Sequence, residues 1–358
     1  MSAIWGNNIK LSIFGESHGE AIGVIIDGLS SGFDLNLDYI NYEMSRRAPG
    51  RNTISTSRKE EDNFKILSGY FNGKTTGTPL CAMIKNQDKK SKDYSKIENI
   101  MRPGHADYTG AIKYGGFNDY RGGGHFSGRI TAALVFAGAV CRQLLESRGV
   151  IIGSHIKSIK DLKDESFDYN NIEEKVLKKL RLQEFPTIDQ SVNEKMKELI
   201  LKAKKNMDSV GGVIECAAIN LDTGLGEPFF DSVESSLSHL LFSIPAVKAV
   251  EFGSGFSITE MFGSEANDEF YYDNNRVKTY SNNNGGILGG ITNGRPLVFR
   301  CAIKPTPSIG KVQNTIDISK KENVSFSVEG RHDPCIVQRA VPVVESVAAI
   351  SLLDFYLN

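Results

Sequence analysis

The stretch Ser127 to Glu146 constrains this chain more than any other. It reads as a helix whose interior is Ala132, Ala133, Ala137, Gly138 and Ala139 among larger apolar residues. A surface helix keeps one polar face for water, and this one has none. Its small side chains suit burial on several sides, where other backbones approach closely. The apolar run Ala132 to Cys141 is shorter than the roughly 20 residues that a bilayer requires. Burial inside protein, with no membrane partner, is therefore the expectation.

Around that helix the pattern alternates between strand and helix. Lys10 to Phe14, Ile22 to Ile26, Leu80 to Ile84, Val213 to Ala217 and Phe252 to Ile258 read as strands, and Arg51 to Thr78 as strands joined by glycine turns. Asp38 to Arg47 reads as a helix with Asp38 as N-cap and Pro49-Gly50 as stop. Further helices are expected at Gln190–Lys205, with Val192, Met196, Leu199, Ile200 and Ala203 on one stripe, at Ser232–Phe242 and at Val343–Leu357. The charged stretch Asp161 to Lys205 reads as a solvated helical arm. No compositional linker divides the 358 residues and no internal repeat stands out, so one compact α/β unit is expected.

Charge excludes some function classes. Lys and Arg number 42 against 43 Asp and Glu, for a net charge of -1, and a general nucleic-acid binder shows a basic excess. Any anion site must be a local cluster. The five cysteines, Cys81, Cys141, Cys216, Cys301 and Cys335, fall at no metal-ligand spacing, so no metal site is expected. Their scatter fits a reducing cytoplasm, and the first residues lack the pattern of a secretory leader.

Local clusters are present. Four of the six histidines sit in glycine-rich loops: His18 in GESHG, His105 in RPGHAD, His125 in GGGHFSG and His332 in GRHDPC. Imidazole exchanges protons near neutrality, and glycine lets a backbone come close to a ligand. Arginines gather in the same places: Arg46, Arg47 and Arg51 around Ala48-Pro49-Gly50, Arg102 before His105, Arg121 and Arg129 on either side of the glycine run, and Arg331 before His332. Guanidinium forks match phosphate and carboxylate. The run Arg121 to Gly128 is neither G-x-G-x-x-G nor a P-loop, but it precedes a helix, whose N-terminus favours an anion. Asn282 to Gly290 and Lys304 to Ser308 are further turns suited to a phosphate-bearing molecule. From residue chemistry alone the chain binds small anions and carries several candidate proton carriers, and the reaction stays unnamed.

At these motifs the chain resembles the chorismate synthase family. The resemblance runs in family order through GESHG, SRRAPG, ILSGYFNGKTTGTPL, RPGHADYTG, KYGGFNDYRGGG, DSVGG, GLGEPFFD, NNGGILGGITNG, GRHDPC and RAVPVVES. It implies an α/β (α+β) fold, a β–α–β sandwich of antiparallel sheets enclosing central helices, in a homotetramer. It implies a 1,4-anti elimination that turns 5-enolpyruvylshikimate 3-phosphate into chorismate with reduced FMN present. By resemblance His18 lies near the leaving phosphate, His105 protonates or stabilises the reduced flavin, and Asp333 helps the flavin N5 region accept the C6 proton. Arg46, Arg47, Arg51, Arg102, Ser127, Arg129 and Arg331 are the implied substrate clamp. His125, Phe126, Ser127, Ala246, Gly289, Lys304, Pro305, Thr306, Pro307, Ser308 and Arg331 are the implied flavin contacts.

The chain departs from the family pattern in places. After the glycine run the family commonly reads RSSARET; here His125-Phe126-Ser127-Gly128-Arg129-Ile130-Thr131 stands instead. The resemblance there supports backbone contacts to flavin rather than side-chain ones. Pro245 replaces a common amide, and Gln338 also varies. Two other readings compete: a bifunctional form that reduces its own flavin with NADPH, and a flavin- or phosphate-binding module without chemistry. His18, His105 and Asp333 together argue against the second.

Overall fold

The structure is a computed structural model that describes residues 3–50, 54–55, 60–87, 98–328 and 333–357. Strands are numbered β1 to β18 and helices α1 to α8 in chain order. The first sheet is antiparallel, in the order β1 (Ile4–Trp5), β2 (Lys10–Gly15), β3 (Ala21–Asp27), β7 (Leu80–Lys85), β4 (Phe64–Ser68). The second, also antiparallel, runs β11 (Val247–Phe252), β16 (Leu297–Ile303), β10 (Gly212–Ile219), β8 (Ile151–Ile159), β9 (Leu162–Lys163). Four hairpins complete the strands: β5 (Tyr70–Phe71) with β6 (Lys74–Thr75), β12 (Phe270–Asp273) with β13 (Arg276–Thr279), β14 (Ile287–Leu288) with β15 (Ile291–Thr292), and β17 (Gln313–Asp317) with β18 (Glu322–Phe326).

The helices are α1 (Leu37–Arg47), α2 (Asp107–Lys113), α3 (Thr131–Glu146), α4 (Glu174–Leu182), α5 (Asn193–Lys205), α6 (Val233–Ser243), α7 (Gly263–Ala266) and α8 (Val337–Tyr356). Helix α3 packs on β3 and β7 of the first sheet, and α8 on β8 and β10 of the second. The two helices also pack on each other, with α1 and α6 beside them, so the layers run sheet, helices, sheet. This is the sandwich that the resemblance implied. One apolar cluster joins Ile22, Val24 and Ile84 of the first sheet to Val140, Ile350, Cys216 and Phe299.

The small residues of α3 serve that middle layer. A Cβ added to Gly138 would lie 2.2 Å from the Ser346 Cβ and 2.4 Å from its Cα, so α3 and α8 touch backbone to backbone there. The window Gly128–Glu146 is long and apolar enough to cross a membrane by composition, yet 94% of it is buried inside the fold. It is the core helix.

Several boundaries differ from the sequence pattern. The cap of α1 is Asn36, whose Oδ1 accepts from Tyr39 N at 3.0 Å, rather than Asp38. Helix α8 starts at Val337 and runs through Pro342, so the proline does not mark its beginning. As the sixth helical residue Pro342 has no N–H to offer the Gln338 carbonyl, and the packing of this buried stretch carries the helix across it. The strand expected at 252–258 ends at Phe252 and gives way to a 3₁₀ turn over Gly255–Glu260, because Gly253 and Gly255 take φ +53° and +56° and bend the chain. The charged arm is only half solvated. Phe167, Leu177 and Leu180 cover Ile151, Ala217, Ile219 and Val298 on the outer face of the second sheet. That sheet is therefore buried on both faces, which explains why every residue of β8 is buried except Lys157, which is partly exposed.

Gly138→Ala tests the central contact. Alanine would add up to about 1 kcal/mol to an exposed helix position, but overpacking against Ser346 is expected to remove about 1–3 kcal/mol. Urea unfolding midpoints measure the sign, and a raised midpoint would refute the close approach.

Candidate active site

The glycine run is the centre of the site. Gly122, Gly123 and Gly124 take φ of +60°, +84° and +53°, a succession that L side chains rarely adopt. The spaces where their Cβ atoms would stand are taken. At Gly122 the ring atoms Nδ1 and Cε1 of His18 lie 2.2 Å away; at Gly123 the Cε1 and Nε2 of His105 lie 3.0 and 3.2 Å away. At Gly124 it is the Asp119 carbonyl, at 2.1 Å. The run thus seats two imidazoles over adjacent residues.

The GESHG loop joins β2 to β3 and is fastened to this run. Ser17 N donates to Gly124 O at 3.1 Å, and Nδ1 of His125 meets Gly15 O at 2.8 Å. Asn86, just past β7, donates to Glu16 O and Gly19 O at 2.9 and 3.0 Å. His18 is buried in this setting. Ser127 caps the turn Gly128–Ile130, its Oγ accepting from Arg129 N at 3.3 Å. Its Cβ stands 3.8 Å from where a Gly123 Cβ would be, so Ser127 shares the face that His105 occupies.

A pair of arginines stands behind the run. Arg47 at the end of α1 and Arg129 before α3 both donate to the buried carboxylate of Asp62. Arg129 Nε also reaches Asn86 Oδ1 at 3.0 Å and Glu60 at 2.7 Å, and Arg47 Nε reaches Thr131 Oγ1 at 3.3 Å. Burial pushes the Asp62 carboxyl up, but Arg47 and Arg129 outweigh it and hold the group below its ordinary range. Asp62 takes φ +53°, a strained value for a residue with a side chain. Arg339 Nε donates to Arg47 O at 3.1 Å and its Nη1 to Asp333, which links Asp333 to the same end of the site.

The KPTPS segment after β16 lies against the RPGH loop. Lys304 Nζ donates to Gly104 O at 2.5 Å, and a Gly104 Cβ would sit 3.3 Å from Pro307 Cβ. Lys304 N donates to Ala246 O at 2.9 Å, and Ala246 itself takes φ +78°. The Thr306 hydroxyl is buried with no hydrogen-bond partner among the described residues. Gly289, at φ +63°, has open space where a Cβ would be.

Placement of the remaining expected residues is mixed. Arg46 turns the other way from Arg47. Its guanidinium binds Glu345 at 2.5 and 3.2 Å and Glu43 at 2.7 Å, inside the helix layer and apart from Arg47 and Asp62. Phe126 lays its ring on α2, where a Gly110 Cβ would meet it at 3.0 Å, and tilts towards Tyr114. Its side chain faces that helix instead of the histidines. Arg51 and Arg331 lie outside the described residues, as does His332. A cavity of about 300 Å³ opens among Tyr42, Arg46, Gln183, Arg339 and Pro342; neither His18 nor His105 lines it.

Three supporting residues escaped the sequence reading: Asp62, Asn86 and Asp107. Asp62 and Asn86 sit in polar runs, 59–63 and 85–88, where nothing local singles them out, and the partners of all three lie elsewhere in the chain or in a tight turn. For Asp107 a signal existed, since it is the single acid in the basic motif RPGHAD.

A family model described as chorismate synthase matches residues 9–357. The chain belongs to the chorismate synthase family. It is 48% identical to a chorismate synthase of Methanocaldococcus jannaschii, covering 99% of this chain and 96% of that one. It is 44% identical to one from Dehalococcoides mccartyi (100% and 97% covered) and 45% identical to one from Thermococcus kodakarensis (99% and 97% covered). A solved structure titled as chorismate synthase superposes with a TM-score of 0.79 at 31% identity, covering 99% of this chain and 93% of that one. Membership makes this a lyase of aromatic biosynthesis, and the family requires reduced flavin.

The Asp62 pairing predicts a pH effect. A carboxyl whose pKa is lower folded than unfolded contributes stability above its unfolded pKa, near 4, and loses it as pH falls through the folded value. The urea midpoint of the wild type should therefore fall between about pH 5 and pH 2, and that of Asp62→Asn should fall less. Parallel slopes would show that Asp62 is not held below its ordinary range.

Proposed function

We propose that this site eliminates phosphate from 5-enolpyruvylshikimate 3-phosphate to give chorismate, with reduced FMN as the required cofactor. The observation that carries the reading is the seating of His18 and His105 over adjacent glycines beside an arginine pair, in a chain of this family. In the reaction a proton leaves C6 and phosphate leaves C3, with no net redox change.

The residues present suit a flavin phosphate. Gly289 leaves open space beside its backbone, Lys304 brings a cation beside Gly104, and the buried Thr306 hydroxyl lacks a protein partner among the described residues. Ser308, Pro305 and Pro307 complete this stiff segment, and by resemblance Ser127 and the backbone of His125 and Phe126 also meet the flavin. When bound, reduced FMN supplies transient electron density to the elimination.

The chain's own groups account for the rest. His18, over Gly122, offers an imidazole where the leaving phosphate needs positive charge or a proton. Arg47 and Arg129, already oriented by Asp62, and Arg102 present donors to phosphate and carboxylates without reorganising. Arg51 and Arg331 belong to the same clamp by motif. His105 carries a proton at the flavin side, and Asp333, held by Arg339, serves as the acid–base group for the C6 proton. We further propose that residues 1–358 act as one domain and that the protein works in the cytoplasm as a homotetramer. Phe229, Phe230, Phe256 and Phe262, each about 80% or more exposed, support assembly through apolar surface. Light scattering on the purified protein tests that; a monomer at working concentration would refute it.

The assay is chorismate formation without oxygen. Turnover is expected with chemically reduced FMN. Turnover also with NADPH and oxidised FMN would add a flavin reductase activity. Failure of folded protein in both mixtures would overturn the enzymatic reading. Arg47→Ala is expected to raise KM for substrate at least about tenfold, the loss of a charged hydrogen bond, while flavin titrations change little. Equal losses would place Arg47 at the wrong ligand.

A further inference from the structure

The loop Arg102–Asp107 contains a closed set of contacts that the proposed chemistry does not use. Asp107 Oδ2 accepts from Arg102 Nε at 2.7 Å and from the Arg102 backbone N–H at 3.1 Å. Its Oδ1 accepts from Arg102 Nη2 at 2.7 Å and faces His105 Nδ1 at 2.7 Å. Arg102 Nη2 also stands 3.2 Å from His105 Nδ1. These last two contacts make opposite demands. A guanidinium only donates, so it would need a lone pair on Nδ1; an ionised carboxylate only accepts, so it needs a proton there. Burial alone would raise the Asp107 carboxyl, but the bonds from Arg102 and His105 outweigh it and keep it well below its ordinary value. A nitrogen lone pair 2.7 Å from a carboxylate oxygen would be strongly repelled. The shorter contact therefore decides the tautomer, and Nδ1 carries the proton.

We infer that Asp107 is the positioning residue for His105, holding a proton on Nδ1 so that Nε2, the atom facing Gly123, is the one that exchanges protons with a bound molecule. This rests on the reading of His105 as a proton carrier. The ring edge towards Gly123 is Cε1–Nε2, in agreement with that assignment. Among the described residues, the charged and titratable groups around the ring are Arg102 and Asp107 on its own loop, Lys304 against Gly104, and His18 over the adjacent glycine.

Asp107→Asn discriminates sharply because an amide has a single acceptor. Two Arg102 donors, Nε and the backbone N–H, converge at the Oδ2 position against one, Nη2, at Oδ1, so the amide oxygen is expected at Oδ2, with Nη2 swinging away from the amide NH₂. The amide NH₂ then faces His105 Nδ1 and forces the proton onto Nε2. The tautomer is read from ring ¹⁵N shifts of ligand-free protein with labelled histidine, at a pH where the ring is neutral, with His105→Gln to assign the signal. The wild type should show protonated Nδ1, and Asp107→Asn protonated Nε2. In the anaerobic assay kcat should fall at least about tenfold, with KM for substrate changed less than about threefold. Asp107→Glu, which keeps the carboxylate, should recover part of kcat.

A wild-type ring protonated on Nε2 would overturn the inference without recourse to any variant. An Asn variant with an unchanged tautomer, or with a switched tautomer and full kcat, would overturn it too. Should the Asn variant fail to fold, the wild-type spectrum and Asp107→Glu still decide. His105→Gln with full turnover would instead sink the proton role of His105, while the tautomer measurement would still report on what Asp107 does to the ring.

Discussion

The carboxylate of Glu345, buried in the middle of α8, organises the helix layer. It accepts from Arg46 on α1, from Arg142 on α3 at 2.9 Å, and from the backbone N–H and hydroxyl of Ser154 on β8 at 3.1 and 2.8 Å. Arg181 and Glu43 extend the set, with Glu146 receiving the Tyr39 hydroxyl at 2.7 Å. Three guanidiniums thus face three carboxylates, buried at Arg46, Arg142, Glu43 and Glu345 and reaching the surface at Arg181 and Glu146. Such a set contributes less to net stability than to uniqueness, because removing one partner strands a buried charge at a cost of about 3–5 kcal/mol. Its consequence reaches the active site. Successive helical residues differ by about 100°, so with Arg46 drawn inward to Glu345, Arg47 points to Asp62 and Arg129.

The same principle recurs at the site, where each described arginine of the proposed clamp is paired with an acid: Asp62 for Arg47 and Arg129, Asp107 for Arg102. Arg339 does likewise with Asp333. A chain with a net charge of -1 can still present concentrated guanidiniums to a polyanion, since the balancing carboxylates sit behind them as orienting groups. Donors fixed in advance need no reorganisation when charge develops on the substrate.

Much of this was legible beforehand. The small residues of α3 announced a helix with no free face, and Gly138 against Ser346 shows why. The glycines after Arg121 announced a backbone at close quarters with something, which proved to be two histidines and a carbonyl. Other parts were not legible. Nothing in the pattern of α4 alone distinguishes Leu177 and Leu180, which cover the second sheet, from residues on a solvated arm, because Leu182 on the same helix is equally apolar and stands exposed. Phe252 to Ile258 looked extended since the left-handed turns at Gly253 and Gly255 carry no periodicity. Arg46 and Arg47 are chemically alike and adjacent, so only their partners separate their roles.

What the sequence determined by itself is local: the runs that become strands and helices, the glycines that permit left-handed backbone, and the motif series that marks the family. These follow from short-range sterics and hydrogen bonding, which depend on neighbours in the chain. What only the tertiary structure decided is partnership. Arg46 meets an acid 299 residues away, Arg129 one 67 residues before it, and Lys304 a carbonyl 200 residues before it. A charged side chain in a dry interior must find a counter-charge, and which one it finds is set by the packing of sheets and helices that bring distant segments together.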